Sequence, residues 1–177
     1  MKTLVVDYSF TGNNRRLAKR IASLLSADRD SISVARSMKP GAIALDRLFG
    51  LSPKIGDSTK LPSDYDLVVL VGPVWMGKVA SPFRPYIKRH YGAFKKIAFV
   101  SISGGALGPN RGVDKEIAGR TGLRPAVVHE FYTNDLIPEE EKKKMSRTST
   151  YQLTDEDMAG PLKAGIEELV TRLRSLA

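Results

Sequence analysis

Ser9-Phe10-Thr11-Gly12-Asn13-Asn14 lies between a β-branched run over residues 2–7 and a segment whose apolar residues Leu17, Ile21, Leu24 and Leu25 recur at helical spacing. The run before it, centred on Leu4-Val5-Val6, is apolar enough for a strand buried on both faces. The segment after it sets Arg15, Arg16, Lys19 and Arg20 on its remaining face and reads as an amphipathic helix. The six residues therefore turn the chain from a buried strand into a helix.

At such a helix start the first backbone N–H groups have no partner within the helix and the macrodipole is positive. An anion placed there gains hydrogen bonds and a favourable field. Ser9, Thr11, Asn13 and Asn14 add side-chain donors, and Gly12 lets the backbone come close. Thr and Asn before a helix also serve as plain N-caps. Taken alone, the turn fits both roles.

Tyr8-Ser9-Phe10-Thr11-Gly12-Asn13, following a hydrophobic strand, resembles the FMN-phosphate loop of the flavodoxin family. That loop is written as Ser or Thr, any residue, Thr, Gly, Asn or another residue, and Thr. Asn14 stands where the last Thr is usual, and an amide can still donate to a phosphate. The resemblance implies FMN held non-covalently, with Ser9, Thr11, Gly12, Asn13 and Asn14 around its phosphate.

The chain of 177 residues has no cysteine, which excludes disulfides, thiolate metal sites and thiol redox chemistry. Redox work would need a bound cofactor. One domain spanning residues 1–177 is the simplest expectation for this length. No run is apolar enough to cross a bilayer, and the start leads into a strand rather than a signal peptide, so a cytoplasmic location and no membrane partner are expected. His90 and His129 lack ligand-like spacing and read as surface or helix-end residues. A net charge of +9 and a pI near 9.8 favour anionic partners. The cations are scattered without interleaved aromatics, so specific nucleic-acid binding is not expected. Typical flavodoxins are acidic and dock on basic reductases, so the resemblance does not carry its usual partners over.

Further along, residues 31–34 alternate and predict a second strand. Residues 38–57 blur: Ile43, Leu45, Leu48 and Phe49 suggest a short helix, broken by Gly50, Pro53 and Gly56, and the stretch suits an excursion over the sheet or part of an interface. Residues 66–71 predict the strongest strand. Ser81-Pro82 suits the N-cap and first position of a helix carrying Phe83, Tyr86 and Ile87. Residues 96–102 predict a fourth strand, a helix with Val113 and Ile117 follows, and residues 125–132 predict a fifth strand. Residues 139–144 read as a solvated helical turn, and 146–154 as polar loop. The last helix carries Leu162, Ile166, Leu169, Val170 and Leu173, with Pro161 opening or kinking it.

Alternating strands and helices predict a parallel sheet covered on both faces. In a flavodoxin-like α/β three-layer fold with five strands in the order 2-1-3-4-5, the loops after strands one, three and four meet at the switch point. After the third strand, Gly72, Gly77 and Lys78 fit G-x-x-x-x-G-K, but Val79 stands where a nucleotide P-loop needs Ser or Thr, and Pro73 removes an amide. The resemblance accounts for this loop better: Pro73, Val74, Trp75, Met76 and Gly77 are similar to the family's second FMN loop, which borders the ring. Trp75 can offer a flavin its face or edge, or it can simply pack in the core. After the fourth strand, Ser103, Gly104 and Gly105 offer amides without bulk to the ring's polar edge. No aromatic stands between Ser101 and Asn110, where the family often has a tyrosine, so one ring face is expected to be open.

The resemblance thus implies an FMN-binding electron-transfer protein, with no catalytic side chain and no metal. Its electrons pass to a redox partner protein or a small-molecule donor or acceptor, and a homodimer is admissible. An NAD(P)H-dependent FMN or quinone reductase is the alternative. A cofactor-free regulatory module is a third, although receiver domains cluster acids after their first strand and only Asp7 stands here.

Overall fold

Five strands pair in parallel into one sheet in the computed structural model, which describes residues 1–35, 50, 52–105, 109–142 and 150–176. They are β1 (Thr3–Asp7), β2 (Asp28–Ser31), β3 (Leu67–Val71), β6 (Ile97–Ser103) and β7 (Val127–Tyr132), in the order β2-β1-β3-β6-β7. Counting only these five along the chain, the order is the expected 2-1-3-4-5. β4 (Val74–Trp75) and β5 (Lys78–Val79) form a separate antiparallel hairpin.

Side-chain alternation divides the core between the two faces of the sheet. Val5, Val69 and Val100 face one cluster, which α1 (Asn13–Leu25) closes with Leu17 and Ile21. On that side α6 (Lys163–Arg174) adds Ile166, Leu169 and Leu173. Leu4, Val6, Val68, Leu70 and Phe99 face the other cluster. There α2 (Phe83–Arg89) adds Phe83 and Tyr86, and α3 (Val113–Thr121) adds Ile117. β3 is buried along its whole length, and each such aliphatic side chain contributes about 1.5–3 kcal/mol of transfer free energy.

Four local expectations are corrected. The second strand is Asp28–Ser31, before the expected residues 31–34. As an edge strand it needs one pairing face only, so its polar sequence suffices. Ile32 then packs in the core, and Val34 bridges antiparallel to Ile55. The helix after Ser81-Pro82 starts at Phe83 with Pro82 as its cap residue, one position earlier than Pro was expected to sit. Residues 72–78, expected as a loop, enter a hairpin, because β4 and β5 pair over residues 74–79. Pro161 neither opens nor kinks one long helix: it lies between α5 (Asp155–Ala159), with a Thr154 capping box, and α6. The expected turn near residue 139 is α4 (Glu139–Lys142), where Lys142 pairs with Glu139. The helix expected around Ile43, Leu45, Leu48 and Phe49 lies outside the described residues. Among the described residues no helix is long and apolar enough to cross a membrane.

His90 caps α2 and is buried, with Nε2 3.2 Å from Ser58 Oγ and its ring against Tyr86. Burial, then the neighbouring Arg89, lowers its pKa below the ordinary 6.5, and burial lowers that of His129 as well. The unfolded chain therefore binds these protons more readily. Stability should be full at neutral pH and fall as pH drops below about 6.5. Urea midpoints at a series of pH values check this, and His90→Gln should flatten the slope. A second test contrasts two glycines. A Cβ at Gly72 would stand 2.3 Å from the Phe83 ring, whereas one at Gly119, inside α3, meets nothing within 4 Å. Gly72→Ala should cost about 1–3 kcal/mol, and Gly119→Ala should stabilise by about 0.5–1 kcal/mol, both read from denaturation midpoints.

Candidate functional site

α1 begins one residue after Gly12, whose φ of +100° lies in the left-handed region that glycine tolerates. The Gly12 N–H donates to Ser9 Oγ at 2.9 Å, and its carbonyl accepts the first helical bond, from Arg16 N–H. Ser9 is thus the acceptor that fixes the turn, and its own O–H remains a donor. The N–H groups of Asn13, Asn14 and Arg15 come before the first intrahelical bond and have no acceptor inside the helix. No side chain caps them, and no acid stands in the first turn to compete with an anion.

The side chains of Asn13 and Asn14 also tie the turn to distant main-chain groups. Asn14 donates from Nδ2 to Ile102 O at 2.9 Å and accepts at Oδ1 from Ile102 N–H, also at 2.9 Å. Asn13 donates to Tyr151 O at 2.7 Å and accepts from Leu153 N–H at 2.9 Å. Both amides are buried, and each satisfies a main-chain donor and acceptor as a strand neighbour would. Each Nδ2 spends one of its two N–H groups on this clasp, and the backbone N–H groups of both residues stay at the helix start.

The second loop is a two-residue hairpin turn with Met76 at φ +50° and Gly77 at φ +76°, the positive pair that a type I′ turn needs. It projects Met76 into solvent. Its base is anchored where Val79 N–H donates to Glu116 Oε2 at 2.9 Å. This hairpin replaces the strand-to-helix loop that a nucleotide P-loop requires. Trp75 stands edge-on to Tyr8 at 5.9 Å and to Phe10 at 6.2 Å between ring centroids, so it sits at the mouth of the first turn. In the third loop, Thr133 Oγ1 donates to Ser103 O at 3.3 Å. Gly105, at φ +78°, leaves no room for a Cβ beside Tyr132.

Three loops converge as expected. Thr11, Asn13, Asn14, Pro73, Val74 and Trp75 line one cavity of about 150 Å³, together with Ser103 and Gly104. Of the other expected residues, Ser9 and Gly12 shape the turn, Met76 and Gly77 form the hairpin tip, and Gly105 packs on Tyr132; none of these five lines the cavity. Phe10, Ile102 and Thr133 line it and were missed. Phe10 occupied a variable place of the loop pattern, yet its 45% exposure makes it the aromatic at the rim. The cavity is smaller than the roughly 300–1,000 Å³ that encloses whole ligands.

Asp7 was also missed. It is fully buried at the end of β1, held by Arg29 Nε at 3.0 Å and Arg15 Nε at 3.3 Å, and it accepts from Ser31 Oγ at 2.8 Å. Two guanidinium groups on one carboxylate leave the base of the turn positive, which suits an anion above it. Tyr132, nearby, donates to Glu130 at 3.0 Å; burial, then that bond, pushes its pKa up to about 12, so it stays a protonated donor.

No protein-family model matches this chain, and no curated protein matches it. Solved structures do. The flavoprotein of Lactobacillus acidophilus, in complex with FMN, matches at a TM-score of 0.63 and 22% identity, over 82% of this chain and 98% of that one. A protein described as a flavoprotein from Bacteroides uniformis matches at 0.66 and 18% identity, over 82% of this chain and 97% of its own. Another so described, from Bacteroides eggerthii, matches at 0.62 and 17%, over 85% and 99%. The chain shares the fold of these proteins over nearly their whole lengths.

Removing the Asn14 amide strands the Ile102 N–H and C=O in a buried place, at about 1–3 kcal/mol for each group. Asn14→Ala should therefore lower the urea midpoint by an amount worth about 2–6 kcal/mol. Asn13→Ala should speed hydrogen exchange at the Leu153 amide, leaving the Val5 and Val69 amides of the central strands slow.

Proposed function

We propose that this chain binds FMN non-covalently and serves in electron transfer. The observation that carries the reading is the pairing of two features: unsatisfied N–H groups at the start of α1, and a tryptophan-lined cavity that begins at the same turn. The likeness in fold to the FMN complex from Lactobacillus acidophilus supports it.

The residues divide the work by chemistry. The N–H groups of Asn13, Asn14 and Arg15 and the hydroxyls of Ser9 and Thr11 would take the phosphate oxygens, assisted by the helix dipole. Asp7, neutralised by Arg15 and Arg29, holds the base of the turn without opposing a second negative charge. Phe10, Pro73 and Trp75 would border the ring, while Ser103 and Gly104 offer polar atoms at its edge. Bound there, the flavin supplies the redox chemistry, and the protein sets access and potential. The exchange partner is a redox protein or a small donor or acceptor, NAD(P)H among them.

Phosphate contacts distinguish FMN from riboflavin. Charge-assisted hydrogen bonds contribute about 1.5–3 kcal/mol each, so FMN should bind at least about tenfold more tightly than riboflavin in a fluorescence-quenching titration. Equal affinities, or none, would overturn the reading. Stopped-flow mixing of the FMN-loaded protein with NADPH then separates the roles. Rapid loss of flavin colour without a second protein identifies a reductase, and colour that persists until a redox protein is added identifies a carrier.

A further inference from the structure

We propose that the groove along α1 takes the phosphates of an adenine dinucleotide. The groove is about 560 Å³, larger than the cavity beside Trp75, and within the size range of small-molecule sites. One wall is α1, with Arg15, Arg16, Lys19 and Arg20; the other is α5, with Asp155 and Met158. Its near end is Gly12, the residue around which the candidate phosphate turn is built.

Four cations face one carboxylate here. Arg15 is committed to Asp7, and Arg16 lies 3.6 Å from Asp155 in an exposed pair that holds it only weakly. Lys19 and Arg20 have no acidic partner among the described residues. From Gly12 to Arg20 the helix rises about 12 Å at about 1.5 Å per residue, a span suited to a diphosphate and its sugar. Guanidinium forks suit phosphate oxygens, and the buried thioether of Met158 offers an apolar, polarisable floor for a base. An acidic protein surface would need a wide basic face rather than a groove between two helices.

The shared chemistry is the ADP half of a dinucleotide, which has two sources. In FAD it continues from the flavin's own phosphate across Gly12. In a nicotinamide dinucleotide it arrives with a second ligand. The FAD source rests on the proposed flavin site, whereas the nicotinamide source can be read without it.

The test is isothermal titration of the whole protein, wild type and Lys19→Glu/Arg20→Glu, with FMN, FAD, 5′-ADP and 2′,5′-ADP. Both substituted residues lie outside the turn, and Lys19→Gln/Arg20→Gln provides a milder pair should the charge reversal perturb folding. The nicotinamide source predicts that FMN-loaded protein binds an ADP and that the variant weakens it about tenfold or more. The FAD source predicts FAD binding about tenfold tighter than FMN, an advantage the variant abolishes. In either case the neutral Gln pair should lower FMN affinity far less than it lowers the binding of FAD or of an ADP, because the lost contacts lie beyond the FMN phosphate and only the longer-range field along α1 is reduced. The proposal is overturned if neither ADP binds and FAD gains nothing over FMN, or if the variant leaves such binding intact. Salt-sensitive binding of poly-glutamate without any nucleotide overturns it in favour of an acidic polypeptide. Failure of FMN itself, with ADP still bound, would strike the flavin site and leave the groove standing.

Discussion

Two consecutive asparagines hold the first turn in place, and the arrangement of the site depends on them. Asn14 spans the N–H and C=O of Ile102 in β6, and Asn13 spans Tyr151 and Leu153 on the opposite side. A turn at the end of a central strand would otherwise leave those main-chain groups buried and unpaired, at a cost comparable to a lost hydrogen bond for each. The clasp fixes the start of α1 relative to two other segments, β6 and residues 151–153. The helix can then present free N–H groups outward because its asparagine side chains are turned inward.

That division explains how a short polar motif combines rigidity with a vacant electrostatic site. Side-chain amides provide the mechanical link, and backbone amides provide the field. Below them, Asp7 draws Arg15 and Arg29 inward, so positive charge surrounds the turn from beneath as well as along α1. Beside them, the type I′ hairpin sets Trp75 against Phe10 and is itself anchored through Glu116 to α3. Among the described residues around the turn, the left-handed Met76 at its tip is the non-glycine residue that bears unfavourable backbone sterics.

What the sequence disclosed, and what it hid, follows from the range of the interactions involved. β1, β3 and β6 are buried on both faces, so their apolar runs announced them, and the order of elements then brought three loops to one edge of the sheet. β2 was expected three residues too late, at the apolar alternation of residues 31–34, because an edge strand reading Asp28-Arg29-Asp30-Ser31 is held by backbone pairing and needs no apolar pattern. The inward clasp of Asn13 and Asn14 was not legible, because its partners Ile102, Tyr151 and Leu153 lie about ninety to one hundred and forty positions away, beyond any local pattern. Residues 151–153, read as polar loop, are the far half of that clasp. Phe10 and Asp7 were hidden although one sits within the decisive stretch and the other ends the strand before it, because their roles depend on Trp75 and Arg29, which only the folded chain brings near.

The central claim is that an anion is gripped by the backbone at the start of α1. The most direct measurement is a ¹H–¹⁵N correlation spectrum of the protein titrated with FMN and, separately, with riboflavin. The account predicts that the amide signals of Asn13, Asn14 and Arg15 move strongly downfield with FMN and far less with riboflavin, while Ile102 and Leu153 hold their positions. FMN binding that leaves those three amides unmoved would contradict it.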